Sequence, residues 1–257
     1  MKDMSDQGIY IFCGMQTQEK EWEGGTVELE GQEYPLFAIY YKDAAIAAAE
    51  VPMKIYHPNK ENVMTHQQVV SGILKQNDTV IPISFGNIFH SKEDVQLLLE
   101  KLYPQFSTLF PEIKGKMELG LKVVAKEKWI NDELSSRKDI LDAKESVKGK
   151  SEDATYYERI KLGGMAQEFF GKLQKQVNKE IFQPLQQVSD AANQNKLIGE
   201  KMLLNGAFLV GKEYEELFDA RVNELHEKWK NKADFHYTGP WPAYNFINIQ
   251  LKVEEAK

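Results

Sequence analysis

The residues of this 257-residue chain that could carry chemistry are five histidines, a single cysteine and scattered acids. His57, His66, His90, His226 and His236 show no pair at ligand spacing on one predicted helix face. A zinc site needs three or four converging ligands, so the pattern predicts no metal. His66 lies beside Val63 and Val70 in a helical pattern and reads as a satisfied, partly buried core histidine. Cys13 ends an apolar run without the nearby cation or helix N-terminus that would make its thiol reactive; it reads as a small buried hydrophobe. Alone, it excludes an internal disulfide and a thiolate zinc cluster, which points to a reducing compartment. Glu213, Glu215 and Glu216 open a predicted helix, where carboxylates interact favourably with the helix dipole. No phosphate loop, dinucleotide fingerprint, HExxH or nucleophile elbow is present. The expectation is a chain that is not an enzyme and binds no cofactor.

Composition narrows the class further. Lys and Arg number 32 against 39 Asp and Glu, a net charge of -7. That balance argues against nucleic-acid binding, which draws on a surplus of basic residues to displace counterions. Hydrophobic residues at 42% and charged residues at 28% are ordinary globular composition. The most apolar early stretch, residues 9–13, is far shorter than the roughly 20 residues needed to cross a bilayer. A cytoplasmic protein without direct membrane insertion is expected.

Residues 8–14 are β-formers bounded by glycines and read as a strand. Residues 24–41 read as a hairpin, with Val27 and Leu29 on one face. The alanine-rich stretch 43–51 reads as one or two helical turns stopped by Pro52. A helix over 59–75 carries Val63, Gln67, Val70 and Leu74 at helical spacing. Residues 79–84 look extended, but Pro82 makes this an edge strand or turns the proline away from pairing. Ser91 caps a helix that bears Val95, Leu98, Leu99 and Leu102 and ends near Pro104. Pro111 and Gly115 then place a domain division, giving domains 1–115 and 116–257.

The second domain opens with alternation: Met117, Leu119, Leu121 and Val123 inward, Glu118 and Lys122 outward. A helix over 128–143 uses Ile130, Leu134 and Leu141 as its stripe. The longest helix, 153–193, has spacings of three and four suited to packing along another helix, with Pro184 as a kink. A strand over 202–210, a helix over 212–230, a short strand at 235–237 and an alternating run from Ile247 to Val253 follow. The fold class is α+β: an N-terminal α/β domain on a small, mainly antiparallel sheet, then a domain one helix insertion from the βαββαβ order of a ferredoxin-like unit.

Two aromatic segments stand apart. Val80-Ile-Pro-Ile-Ser-Phe-Gly-Asn-Ile-Phe89 joins a proline-bearing strand to a turn between Phe85 and Phe89. Gly239-Pro-Trp-Pro-Ala-Tyr-Asn-Phe246 sets two prolines around Trp241 and presents Tyr244 and Phe246 on a stiff backbone. Both a rigid connection plugging the core and an aromatic contact surface fit such segments. Phe85, Phe89, Trp241, Tyr244 and Phe246 are therefore the candidate partner-binding residues.

The same segments carry a resemblance to the gas vesicle protein GvpF/GvpL family, closer to GvpF of bacilli than to GvpL. It extends through Gly8-Ile-Tyr-Ile-Phe12, Val51-Pro-Met-Lys-Ile-Tyr56, Gly115-Lys-Met-Glu-Leu-Gly-Leu-Lys-Val123, Tyr156-Tyr-Glu-Arg159 and Leu162-Gly-Gly-Met165, in order along the chain. Where many relatives have Pro-Leu-Arg-Phe-Gly, this chain has Pro82-Ile-Ser-Phe-Gly86, so no role of that arginine carries over. The resemblance implies an N-terminal α/β domain, a modified ferredoxin-like domain with a long, coiled-coil-like helical pair, and a non-catalytic accessory role at the gas vesicle. It implies contact early in assembly with the hydrophobic shell protein GvpA and with other accessory proteins. The alternatives are a ferredoxin-like module sensing a small ligand, and an enzyme whose scattered site includes Cys13.

Overall fold

A computed structural model describes residues 7–148 and 156–249. The described chain is mixed α+β, and it forms two compact units. The first holds Met1–Glu118 together with Pro240–Lys257, and the second holds Leu119–Gly239. Pro240 and Pro242 cannot donate to a ladder, and beyond them Asn245 bonds to Glu118 instead.

The first unit is built on β1 (Gln7–Gln16), which is buried from Gly8 to Met15. Its neighbours are β2 (Thr26–Leu29), β3 (Gln32–Tyr41), β4 (Ala44–Pro52), β5 (Val80–Pro82) and β6 (Ile88–Phe89). The sheet order is β2-β3-β4-β1-β5 with β6 also on β1, and each pairing is antiparallel. Helix α1 (Lys60–Gln76) meets β1 through Tyr10 and Phe12, whose rings lie against His66. Helix α2 (Lys92–Ile113) meets the other face through Ile11 and Gly14. A bulge between Ile11 and Cys13 shifts the alternation, so that Gly14 rather than Cys13 faces Phe106.

A Cβ at Gly14 would lie 2.4 Å from the Phe106 ring, and that ring is wholly buried. Replacing glycine by alanine inside a strand ordinarily helps stability. Here Gly14→Ala overpacks the core and should cost about 1–3 kcal/mol, read as a lower urea midpoint at unchanged slope.

Residues 43–51 are a strand and not the predicted helix. Ala44 to Ala49 pair with both β1 and β3 and are fully buried. Small side chains let α2 approach β4 closely, and this tertiary context overrides alanine's helix propensity. The buried stripe of α1 is also displaced: Asn62, His66, Val70, Ile73 and Leu74 face inward, while Val63 and Gln67 are half-buried. Helix α2 runs on past Pro104 to Ile113. Pro104 and Pro111 sit on its exposed side, where the freed carbonyls can bind water, and Phe106, Phe110 and Ile113 continue the buried stripe.

The second unit contains β7 (Lys116–Ala125), α3 (Glu127–Ser136), α4 (Lys138–Val147), α5 (Tyr156–Val177), α6 (Gln183–Gln186), β8 (Ala191–Gln194), β9 (Met202–Gly211), α7 (Glu215–Trp229) and β10 (Ala233–Trp241). The sheet order is β10-β7-β9-β8. The chain passes between units inside β7 and inside β10. The helix predicted over 128–143 is two helices broken at Arg137, and Ile140, not Leu141, is buried. The helix predicted to reach 193 ends at Gln186, after a π-helical turn at Asn178–Phe182 that accommodates Pro184. Residues 191–194 form a strand instead. Helix α5 packs against helix α4 and against β9, and just beyond its end the Phe182 and Phe208 ring centroids lie 5.5 Å apart. Residues 247–249 are not strand, and the rest of the predicted final run, with the helix start at 153–155, lies outside the described residues. Pro240 sits on β10, an edge strand, where a missing donor is tolerated.

Candidate partner-binding groove

A hydrogen-bonded chain in the first unit shapes the proline-strand turn. His66 Nε2 lies 2.9 Å from the Ile83 carbonyl oxygen, which can only accept, so Nε2 carries the proton. In the neutral ring Nδ1 is then the acceptor, and it takes the Tyr10 hydroxyl proton at 3.0 Å. The Tyr10 oxygen in turn accepts the Gly86 N–H at 3.0 Å. Gly86 sits at φ +89°, a turn conformation suited to glycine. Residues 83–86 are thereby fixed at both ends. Burial pushes the His66 pKa down and keeps the ring neutral, with the Ile83 bond acting weakly the other way. Burial also raises the Tyr10 phenol to about 12. His66 is a satisfied core residue, here with a shaping role.

Phe85 packs edge-on against Tyr10 and His66, at centroid distances of 6.1 and 5.8 Å. On the other side of the turn, Phe89 and Tyr244 line one groove of about 360 Å³. Ile83, Leu98 and Leu102 supply much of its apolar wall, with Phe106 and Ile11 beneath. Ile247 and Ile249 close the remaining side. The groove thus joins the two aromatic segments, which lie more than 150 residues apart in sequence. Of the five candidates it gathers Phe89 and Tyr244. Phe85 belongs to the Tyr10–His66 cluster, while Trp241 and Phe246 are half-buried outside the groove lining.

The tail is held by Glu118, which is 5% exposed although its place in the alternation reads as solvent-facing. Its carboxylate accepts the Asn245 backbone N–H at 2.7 Å and the Asn245 side-chain amide at 2.5 Å. Burial raises the Glu118 pKa, and the two Asn245 bonds pull it back. Between Pro242 and Phe246 the backbone turns tightly, with Tyr244 N–H on Pro242 and Phe246 N–H on Ala243. Tyr244 stays neutral: burial raises its phenol to about 12, and Cys13, Glu118 and Tyr10 add in the same direction. The sequence signal for Leu98 and Leu102 was the helical spacing; for Glu118 and Asn245 no local signal exists.

Cys13 is wholly buried, and burial alone drives its thiol strongly upward, so it is unsuited to act as a nucleophile. Among the described residues no three His, Cys, Asp or Glu converge as a metal site. Also among them, no helix is long and apolar enough to cross a membrane.

The family model described as gas vesicle synthesis protein GvpL/GvpF matches residues 8–248. Gas vesicle protein F1 of Halobacterium salinarum is 22% identical over 251 residues, 97% of each chain. Gas vesicle protein F of Dolichospermum flosaquae is 24% identical over 87% of this chain and 92% of its own. The crystal structure of GvpF from Anabaena sp. PCC7120 superposes with a TM-score of 0.77 at 20% identity, covering 95% of this chain and 100% of that one. That of GvpF from Microcystis aeruginosa gives 0.72 at 15% identity, over 94% and 99%.

Proposed function

The chain belongs to the GvpL/GvpF family of gas vesicle synthesis proteins, and from that premise we propose that it is a non-catalytic assembly factor holding the hydrophobic shell protein GvpA before incorporation. The observation that carries this reading is the groove lined by Phe89 and Tyr244. A shell subunit has apolar surface to hide before it polymerises, and an apolar groove with aromatic anchors is the chemistry that hides it. The groove would form the centre of a contact burying about 800 Å² on each partner. Other accessory proteins bind around it during early assembly, in the cytoplasm and at the growing vesicle. We read the chain as two domains dividing near Gly115, the second ferredoxin-like. The strand order β10-β7-β9-β8, with helices after β7 and β9, supports that assignment.

Binding of purified GvpA tests the proposal. Phe89→Ala with Tyr244→Ala should weaken association at least about tenfold, or 1.4 kcal/mol, and leave the thermal midpoint within a few degrees. Undiminished GvpA binding by this variant, or none by the unaltered protein at micromolar concentration, would overturn it.

A further inference from the structure

We propose that the groove between β2 and α1 is a second docking site, which takes an extended, cationic segment of another polypeptide as an added strand on β2. The cavity there is about 420 Å³. Val27, Leu36 and Ile73 form its buried floor. Trp22 stands at its side, its ring folded over Gly24, where a Cβ would lie 2.3 Å from a ring atom.

Three observations define the occupant. The first is the free edge. β2 is the end strand of its sheet, and Leu29 opposes Gln32 across the two-residue turn Glu30–Gly31, both at positive φ. In such a hairpin the pair flanking the turn exchanges hydrogen bonds, and the next residue points its backbone outward. Thr26 and Glu28 therefore present N–H and C=O away from β3, and among the described residues nothing bonds to them there. The second is charge. Glu28, Glu30 and Glu61 rim the groove, and among the described residues its lining contains no Lys, Arg or His. Glu30 already engages Lys54, so Glu28 and Glu61 are left for a cationic visitor. The third is space. Gly72 lies inside α1, four residues before its end, where glycine is the poorest choice short of proline, yet among the described residues no atom beyond the helix's own nearby backbone lies within 4 Å of its would-be Cβ. Among the described residues no packing explains it, and it leaves room for a partner's main chain.

Strand addition beside a helix supplies main-chain bonds, and alternate side chains give selectivity. Lys or Arg at every second position would meet the glutamates, an apolar residue between them would face the floor, and an acidic strand would be repelled. This site lies at the opposite edge of the six-stranded sheet from β5, so the protein could engage two polypeptides at once.

The probe is acetyl-Lys-Val-Lys-Leu-Lys-Val-Lys-amide, titrated into the full ¹⁵N-labelled chain. We expect the largest amide shifts at Thr26 and Glu28, a change in Trp22 fluorescence, and weakening at about 0.5 M salt. Gly72→Leu, which adds a strong helix former into open space, should keep or raise the melting temperature yet weaken binding at least about tenfold. Glu28→Gln with Glu61→Gln should weaken it comparably, and Phe89→Ala with Tyr244→Ala should leave it unchanged. The proposal is overturned by shifts confined to other residues, by equal binding of the peptide with Glu for each Lys, by full affinity in Gly72→Leu, or by loss in the Phe89/Tyr244 variant.

Discussion

His66→Ala should destabilise the first unit by about 2–4 kcal/mol at pH 7.5, the sum expected for a small core cavity and two orphaned polar groups. The Ile83 carbonyl loses its donor, and the Tyr10 hydroxyl loses the acceptor that orients it toward Gly86. His66→Gln, whose amide has both a donor and an acceptor, should recover part of the loss. Denaturant melts followed by near-ultraviolet circular dichroism read both changes. The pH dependence has a definite sign. The folded-state pKa is depressed, so below about 6.5 the unfolded chain takes up a proton that the folded chain refuses. Stability should therefore fall as pH drops from about 6.5 toward the folded value and then level off. In His66→Gln that part of the acid profile should disappear. An unaltered profile would show that the ring is not held neutral.

Glu118→Ala should release the tail. Asn245 loses two bonds to a charged acceptor, each worth about 1.5–3 kcal/mol before the relief of no longer burying a carboxylate. We expect amides of residues 243–249 to exchange about 10–100-fold faster, with the α2 core almost unaffected. The GvpA binding proposed for the groove should weaken too, because Ile247 and Ile249 form one of its sides. Glu118→Gln keeps one acceptor and should be intermediate. Its pH signature opposes that of His66: a raised carboxylate pKa means stability is lost as pH rises from about 4.3 through the folded value. Removing the charge should make the acid loss due to His66 steeper. Unchanged exchange in the tail would rule out Glu118 as its anchor.

The sequence was most legible where one local pattern sufficed. Val27 and Leu29 alternate as predicted, Ser91 accepts the Asp94 N–H as an N-cap, and Pro82 lies on a short edge strand. It misled where distant packing decided. The five alanines among residues 44–49 are good helix formers, yet they are the residues small enough to sit in β4 beneath a helix. Pro104 looked like a stop because nothing local says which side of the helix it occupies. Ending α2 there also hid Phe106, which underlies the groove. The candidate site was half legible for the same reason. Proline and aromatic spacing singled out Phe89 and Tyr244, but Glu118 depends on a residue 127 positions later.

That last pairing fixes an order of events during synthesis. The first unit is interrupted at Glu118 and resumes only at Pro240, so a nascent chain halted anywhere between carries a sheet whose groove lacks one side. Residues 119–239 have emerged and can fold before Tyr244 and Ile249 leave the exit tunnel. The groove would then be completed only after residues 119–239 have been made, so its last side is added late to a unit whose sheet strands all precede them.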